Sequence, residues 1–250
     1  METFAVEELP EISESDDLAG LVEERVDLED GDVLCVASTV VSKAEGRKAD
    51  LSAFPASERA EAIADRLESV TGDRKDPRFA QAVLEESEAL LTEAPFLLAV
   101  TRFGHITVNA GIDRSNVPGA DLLLLPEAPS DSAERLSEAL SVPVIVTDTS
   151  GRPFRYGQRG VAVGWAGLSA ARDWRGESDR DGRELGVTVQ AVVDELAATA
   201  NLVAGEGGGG TPAVVVRGWS FGDHAGSDDL FRREEDDIVR EALQEWAFDG

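Results

Sequence analysis

With 250 residues, 42% of them hydrophobic, the chain has enough apolar surface for one full core or for two small interlocked lobes. Its formal net charge of −27, from 50 acidic and 23 basic side chains, makes a surface that repels nucleic acid and anionic membranes, so neither is an expected partner. A single cysteine rules out an internal disulfide, no apolar run reaches the roughly 18–20 residues of a membrane span, and METFAVEELPEI has no signal-peptide pattern, so a cytoplasmic protein is expected.

In chain order, residues 3–6 read as a strand and 15–26 as a helix. Residues 32–41 include DVLCVAST, a buried strand pattern in which Cys35 is a core thiol. Helices are predicted over 57–72 and 76–92, where Ser57 with Glu61 and the pair Asp76-Pro77 are start signals. Strands at 96–102 and 105–110 flank TRFGHI, a hairpin turn, and another strand covers 121–125. A helix at 131–139 and a strand at 142–148 follow. The run 188–204 is apolar at 189, 192, 193, 196, 200 and 203, which is helical spacing. Its other side is rich in small residues, which predicts close packing against another backbone. GEGGGG at 205–210 leads into a strand at 213–218, and a helix is predicted over 227–247. Strands and helices mix without a regular βαβ alternation, which predicts an α+β fold with mixed or antiparallel sheets and flanking helices, in a single domain over 1–250.

The acidic residues are spread along the whole chain rather than gathered in a tail. That favours a protein that works in concentrated salt over one that offers an acidic arm to a basic partner. At 1 M salt the Debye length is about 3 Å, short enough to remove most self-repulsion.

Three polar clusters break the apolar pattern. TVNAGIDRSNV (107–117) brings Asp113, Arg114, Ser115 and Asn116 together at a strand exit, and VIVTDTSGRPFRYGQ (144–158) brings Asp148, Thr149 and Ser150 to another. Carboxylates with a neighbouring hydroxyl suit Mg²⁺ or Mn²⁺, although two turn aspartates capping their own backbone would look the same. STVVSKAEGRKADL (38–51) carries Ser42, Lys43, Arg47 and Lys48, with two of the chain's three lysines. A basic cluster in so acidic a chain points to phosphate, or else to a solvated turn, and the P-loop pattern is absent. The glycines after 204 would let backbone N–H groups approach an anion, with Glu206 within reach of a cation, or would form a plain flexible loop. RGESDRDGRELGVT (175–188) is a candidate substrate loop or ordinary surface. His105 and His224 show no ligand spacing and read as structural or exposed.

Taken in order, VEELPEISESDDLAGLV, VVSKAEGR, NAGIDRSNV, VIVTDTSGRPFR, GVAVGWAGL with RDWRG, DRDGRELGVT, DELAATANLVAGE and TPAVVVRG resemble the coenzyme F420:γ-glutamyl ligases of archaea and actinobacteria, nearly end to end. The resemblance implies GTP-driven addition of L-glutamate to the lactyl carboxylate of the deazaflavin precursor coenzyme F420-0 through an acyl phosphate, and then of a γ-linked glutamate. It implies Mg²⁺ or Mn²⁺ at two sites, K⁺, and a homodimer of intertwined lobes. By residue it implies nucleotide contacts at Leu9, Pro10, Glu11, Ile12, Ser42, Lys43, Arg47 and Asn116, and along Ala204, Gly205, Glu206, Gly207, Gly208, Gly209, Gly210 and Thr211. It implies metal ligation at Asp113, Asp148, Thr149 and Glu206, with Lys43, Asp113 and Asp148 catalytic. The chain departs from the family at Glu206, often Gln there, and in its more glycine-rich loop. Some members carry a C-terminal nitroreductase-like domain; none is expected here, nor a flavin. Two other readings stay open: a non-catalytic GTP- or metal-binding module, and another amide-forming phosphotransfer enzyme on the same scaffold.

Dialysis from molar KCl into low salt is expected to unfold the protein. Far-UV circular dichroism and tryptophan emission along a KCl titration check this, and full stability at low salt would contradict it.

Overall fold

A sequence of four segments alternates between two units in the computed structural model, which describes residues 1–208 and 210–245. The first unit combines Met1–Glu45 with Ala128–Leu230, and the second combines Gly46–Glu127 with the chain from Phe231 onward. The opening segment holds β1 (Glu2–Ala5), α1 (Leu18–Glu23), β2 (Val33–Ala37) and α2 (Ser38–Ala44). The second holds β3 (Lys48–Ala49), α3 (Glu58–Thr71), α4 (Pro77–Glu85), β4 (Ser87–Thr92), β5 (Leu98–Thr101), β6 (Ile106–Val108) and β7 (Leu122–Leu123). The third holds α5 (Pro129–Leu140), β8 (Val144–Arg152), β9 (Arg155–Ala166), β10 (Ala171–Asp173), β11 (Val189–Ala191), α6 (Val192–Ala204), β12 (Ala213–Arg217) and β13 (Ala225–Ser227). The last holds α7 (Ile238–Glu245). The fold mixes helices with parallel and antiparallel strands, as the sequence predicts. Among the described residues no helix is long and apolar enough to cross a membrane.

The first unit is built on a five-stranded sheet in the order β1-β12-β2-β8-β9. Only β2 and β8 run parallel, with Leu34 opposite Val144 and Ala37 opposite Thr147. Alternate residues of the strands, Val33 and Cys35, Ile145, Val214 and Val216, meet Val193, Leu196 and Ala197 of α6 in one core. Burial pushes the Cys35 thiol up to about 12, so it is the core thiol expected. At the far end of the sheet Arg217 donates from Nε (2.9 Å) and Nη2 (2.7 Å) to the buried Asp32, and this guanidinium holds the Asp32 carboxyl below its ordinary range.

Strand β9 is wedged between helices by its glycines. A Cβ on Gly160 would lie 2.5 Å from the Ala197 carbonyl oxygen of α6, and one on Gly164 would lie 2.3 Å from the Pro129 carbonyl carbon of α5. These two glycines are four apart, so in a regular strand both would face the same helix. They do not, because a bulge intervenes: Val146 pairs with Gly164 but Thr147 pairs with Ala162. The extra residue, Val163, reverses the alternation and lets one strand serve two helices. The small-residue side of α6 is therefore packed against backbone, as its composition predicts.

The second unit has its own core, with Ile63, Leu67, Phe79, Val83, Leu97 and Leu122 among its buried members. Helix α3 starts where Ser57 accepts from the Ala60 N–H (3.2 Å), and α4 where Asp76 accepts from the Arg78 N–H (2.9 Å) before Pro77. Strands β4, β5 and β6 form an antiparallel sheet, and TRFGHI makes the β5–β6 turn with Gly104 at φ 90°. His105 is buried and its imidazole is lowered to about 4 by burial, so it is neutral and structural.

Several boundaries differ from the expectations. The strand expected to reach residue 41 stops at Ala37, and Ser38 begins α2. Thr39, Val40 and Val41 favour strands locally, but burial of Val40 and Val41 on a helical turn overrides that preference. The helix expected over 76–92 ends at Glu85, and Ser87–Thr92 pairs with β5 instead. Residues 189–191 pair with β10 before α6 begins. Among the described residues of the helix expected over 227–247, α-helix covers only Ile238–Glu245, and the expected last two residues lie outside the described ones. Strand β8 runs four residues past 148, and β9 carries no strand signal in sequence because Gly157, Gly160 and Gly164 interrupt it.

Gly164→Ala is expected to cost about 1–3 kcal/mol of stability by overpacking against backbone. Gly151→Ala, where a Cβ meets nothing within 4 Å, is expected to stay within about 0.5 kcal/mol. Chemical denaturation of both in high salt makes the comparison.

Candidate active site

Three strand ends of the first unit converge. Strands β2 and β8 are parallel, so both deliver their carboxyl ends to one edge, at Ala37 and Thr147. Strand β12 is antiparallel to β2, so the glycine loop before it arrives at the same edge, where the Ala37 N–H donates to the Pro212 carbonyl oxygen (2.8 Å). Open sheets place ligands outside such strand ends.

The side chains gathered there are oxygen donors. Ser38 Oγ donates to Asp148 Oδ1 at 3.4 Å. Thr149 Oγ1 donates to Glu206 Oε1 at 3.3 Å, and Asn201 Nδ2 donates to the same oxygen at 2.8 Å. Glu206 follows the end of α6 at Ala204 and the turn at Gly205 (φ 70°). Successive strand residues alternate in direction, so Asp148 and Thr149 face opposite sides of the β8–β9 ribbon. A carboxylate with hydroxyl and carboxamide groups nearby is the hard, oxygen-rich set that Mg²⁺ or Mn²⁺ accepts when waters or phosphate oxygens complete the shell. Among the described residues no three His, Cys, Asp or Glu side chains form a preassembled metal cage.

Lys43 lies on α2, buried except for about 7% of its side chain, and its Nζ donates to Glu11 Oε1 at 2.6 Å. Ser42 beside it is buried as well. Glu11 belongs to the stretch Leu9–Ile12, in which Ile12 is buried and Leu9 half-buried while Pro10 and Glu11 are exposed. The loop carrying Gly207, Gly208 and Gly210 is open, with room for a Cβ at each; Gly209 lies outside the described residues, and Thr211 is half-buried.

The second unit carries Asp113, Asn116 and Arg47. The chain reaches Asp113 through Asn109, Ala110 and Gly111, all with positive φ (56°, 54° and 71°). Left-handed backbone at two non-glycine residues is strained and recurs near functional sites. Gly111 has no alternative, since its Cβ would sit 2.4 Å from Leu125 Cδ1. The Asp113 backbone is clamped to Leu123 in both directions (3.0 and 2.9 Å), and its carboxylate accepts from the Ser115 N–H (2.7 Å) and Ser115 Oγ (2.8 Å). The carboxylate thus caps its own turn while its clamped backbone holds it in place. Arg114 lies 5.6 Å from the centre of the Phe79 ring, and Asn116 is exposed at φ 52°. The Arg47 guanidinium is tied to the Leu125 carbonyl (2.9 Å), Glu127 (3.2 Å) and Glu86 (2.5 Å).

The sequence profile of the F420-0:gamma-glutamyl ligase family matches residues 7–218, most of the chain. The chain belongs to that family. It is 82% identical to the coenzyme F420:L-glutamate ligase of Natronomonas pharaonis, over 100% of this chain and 99% of the relative. It is 70% identical to the protein of the same name from Halorubrum lacusprofundi over the full length of both, and 51% identical to that from Archaeoglobus fulgidus over 98% of each. This family member is a ligase that forms carbon–nitrogen bonds.

Sequence reasoning missed Ser38 and Asn201 as neighbours of the oxygen donors, and it missed the pairing of Lys43 with Glu11. The pairing had no local signal, since 32 residues separate the partners. Glu11→Ala leaves a buried ammonium without its acceptor and is expected to destabilise the protein by about 2 kcal/mol. The double variant Glu11→Ala/Lys43→Met is expected to recover most of that loss, as read from denaturation midpoints at high salt.

Proposed function

We propose that the chain is the GTP-dependent ligase that joins L-glutamate to the lactyl carboxylate of coenzyme F420-0 and then adds a second glutamate through a γ-linkage. The family match across residues 7–218 carries this reading, because nothing else selects a glutamyl acceptor. The same resemblance supports GTP as phosphoryl donor, K⁺ as a further ion and a homodimer as the working form.

In the proposed reaction the acceptor carboxylate takes the γ-phosphoryl group of GTP and releases GDP. The glutamate amine then attacks the acyl carbon, an amide forms, phosphate leaves, and the amine gives up a proton. Asp113 and Asp148 would hold divalent metal, and Thr149 with Glu206 a second ion; when bound, these supply positive charge to the phosphate oxygens. Lys43 adds a buried ammonium for a phosphate oxygen, with Glu11 holding it before the nucleotide enters. Ser42, Asn116 and the backbone of the 204–211 loop bind the nucleotide. Arg47, oriented by its ties to Glu86, Glu127 and the Leu125 carbonyl, is a further nucleotide contact in this reading.

Phosphate release from GTP in high KCl with Mn²⁺ tests the reading. Release that requires both L-glutamate and coenzyme F420-0, with a product heavier by one or more glutamyl units, is expected. Release without either substrate would overturn it. Asp113→Ala and Asp148→Ala are each expected to lower turnover by about a hundredfold or more while the far-UV spectrum stays unchanged. Activity near that of the unsubstituted protein in both would sink the metal assignment.

A further inference from the structure

We infer that Asp194, in the first turn of α6, is a positioning residue that holds Asp148 and Thr149 in place through the bulge in β9. This rests on the proposed reading of Asp148 as a metal ligand. The stretch around Asp194, DELAATANLVAGE, has a role so far only at its far end, where Asn201 meets Glu206.

The need for such a residue follows from the ladder. Strand β8 pairs with β2 only from Val144 to Thr147. Asp148, Thr149 and Ser150 lie beyond that, and among the described residues their ladder partners are Val161, Gly160 and Arg159 of β9 alone. Where β9 goes, these donors go. The bulge that precedes this stretch also disrupts the ladder locally and leaves backbone groups unpaired there.

Asp194 closes that weak point. Its Oδ1 accepts from the Ala162 N–H at 2.9 Å, on the residue where pairing resumes after the bulge. Its other oxygen lies 3.6 Å from Arg159 Nη2, on the residue opposite Ser150. The carboxylate is about 18% exposed, so solvent does little to compete. About one and two turns further along α6, the Ala197 carbonyl and Asn201 abut Gly160, the partner of Thr149. Near the end of the same helix, Asn201 donates to Glu206, which lies just past the helix and accepts from Thr149. Helix α6 thus acts as a ruler. It grips β9 at Ala162 and Gly160 and supplies Glu206 at a set distance further on, so the spacing between Thr149 and Glu206 depends on Asp194 keeping its hold.

The test compares Mn²⁺ binding by the full-length protein, read by electron paramagnetic resonance in high KCl, for the unsubstituted protein and three variants. Asp194→Asn keeps a carbonyl oxygen for the Ala162 N–H and is expected to bind Mn²⁺ within about threefold of the unsubstituted protein. Asp194→Ser suits a helix first turn but is too short to reach Ala162, and is expected to weaken Mn²⁺ at least tenfold while the protein remains folded at the assay temperature, as far-UV circular dichroism checks. Asp148→Asn separates the two levels of the argument. If it leaves Mn²⁺ affinity unchanged, the metal reading fails and this inference with it. If it weakens Mn²⁺ while Asp194→Ser does not, or if Asp194→Asn is as impaired as Asp194→Ser, the positioning role alone is overturned.

Discussion

Beyond Thr147, strand β8 has left its parallel neighbour and continues with β9 as its ladder partner. A two-stranded ribbon is only marginally stable alone, so its order comes from what presses on it. Here that is α6, seated so closely that glycine is required at Gly160, while α5 requires glycine at Gly164, just before the ribbon begins. The bulge at Val163 turns those two glycines to opposite faces. Thr149 consequently faces α6 and the Glu206 that follows it, while Asp148 faces the other way, toward Ser38. The placement of these oxygen donors follows from this packing arrangement.

The sparse basic residues follow a second constraint. In a chain of charge −27, a cation anywhere has anions within reach, and exposed pairs are screened in salt. The pairs that hold structure are those withdrawn from solvent. Arg217 grips the buried Asp32, and Arg47 is tied to Glu86, both largely buried in that pair. Lys43 is the exception in the proposed reaction, where its buried ammonium would exchange one exposed carboxylate partner for a phosphate oxygen. Its place on α2 follows from the abrupt change from strand to helix at Ser38.

Part of this was legible in the residues. The apolar spacing of 188–204, the Ser57 and Asp76 starts and the TRFGHI turn are local signals, and each has its expected element, with α6 beginning a few residues late. The order of the motifs was enough to point to the family that the profile match shows. Asp113, Asp148 and Thr149 stood out because polar clusters at strand exits are visible in one dimension. Strand β9 was not legible, because glycines that serve packing look like strand breakers. Nor was the split of 76–92 into helix and strand, since Leu90 and Leu91 satisfy either period until β5 is there to pair with.

The sequence by itself therefore determined the α+β class, the acidic surface, the core thiol at Cys35 and the family. Each of these is written in residue type, local spacing or motif order. Only the tertiary structure decided that Glu11 meets Lys43, that Glu206 meets Thr149, and that Asp194 accepts from the Ala162 N–H beside the bulge. Those contacts join residues distant in the chain, and their distances depend on strand register and helix seating. A single inserted residue, Val163, reverses which face a side chain occupies, and no local pattern around it announces that reversal.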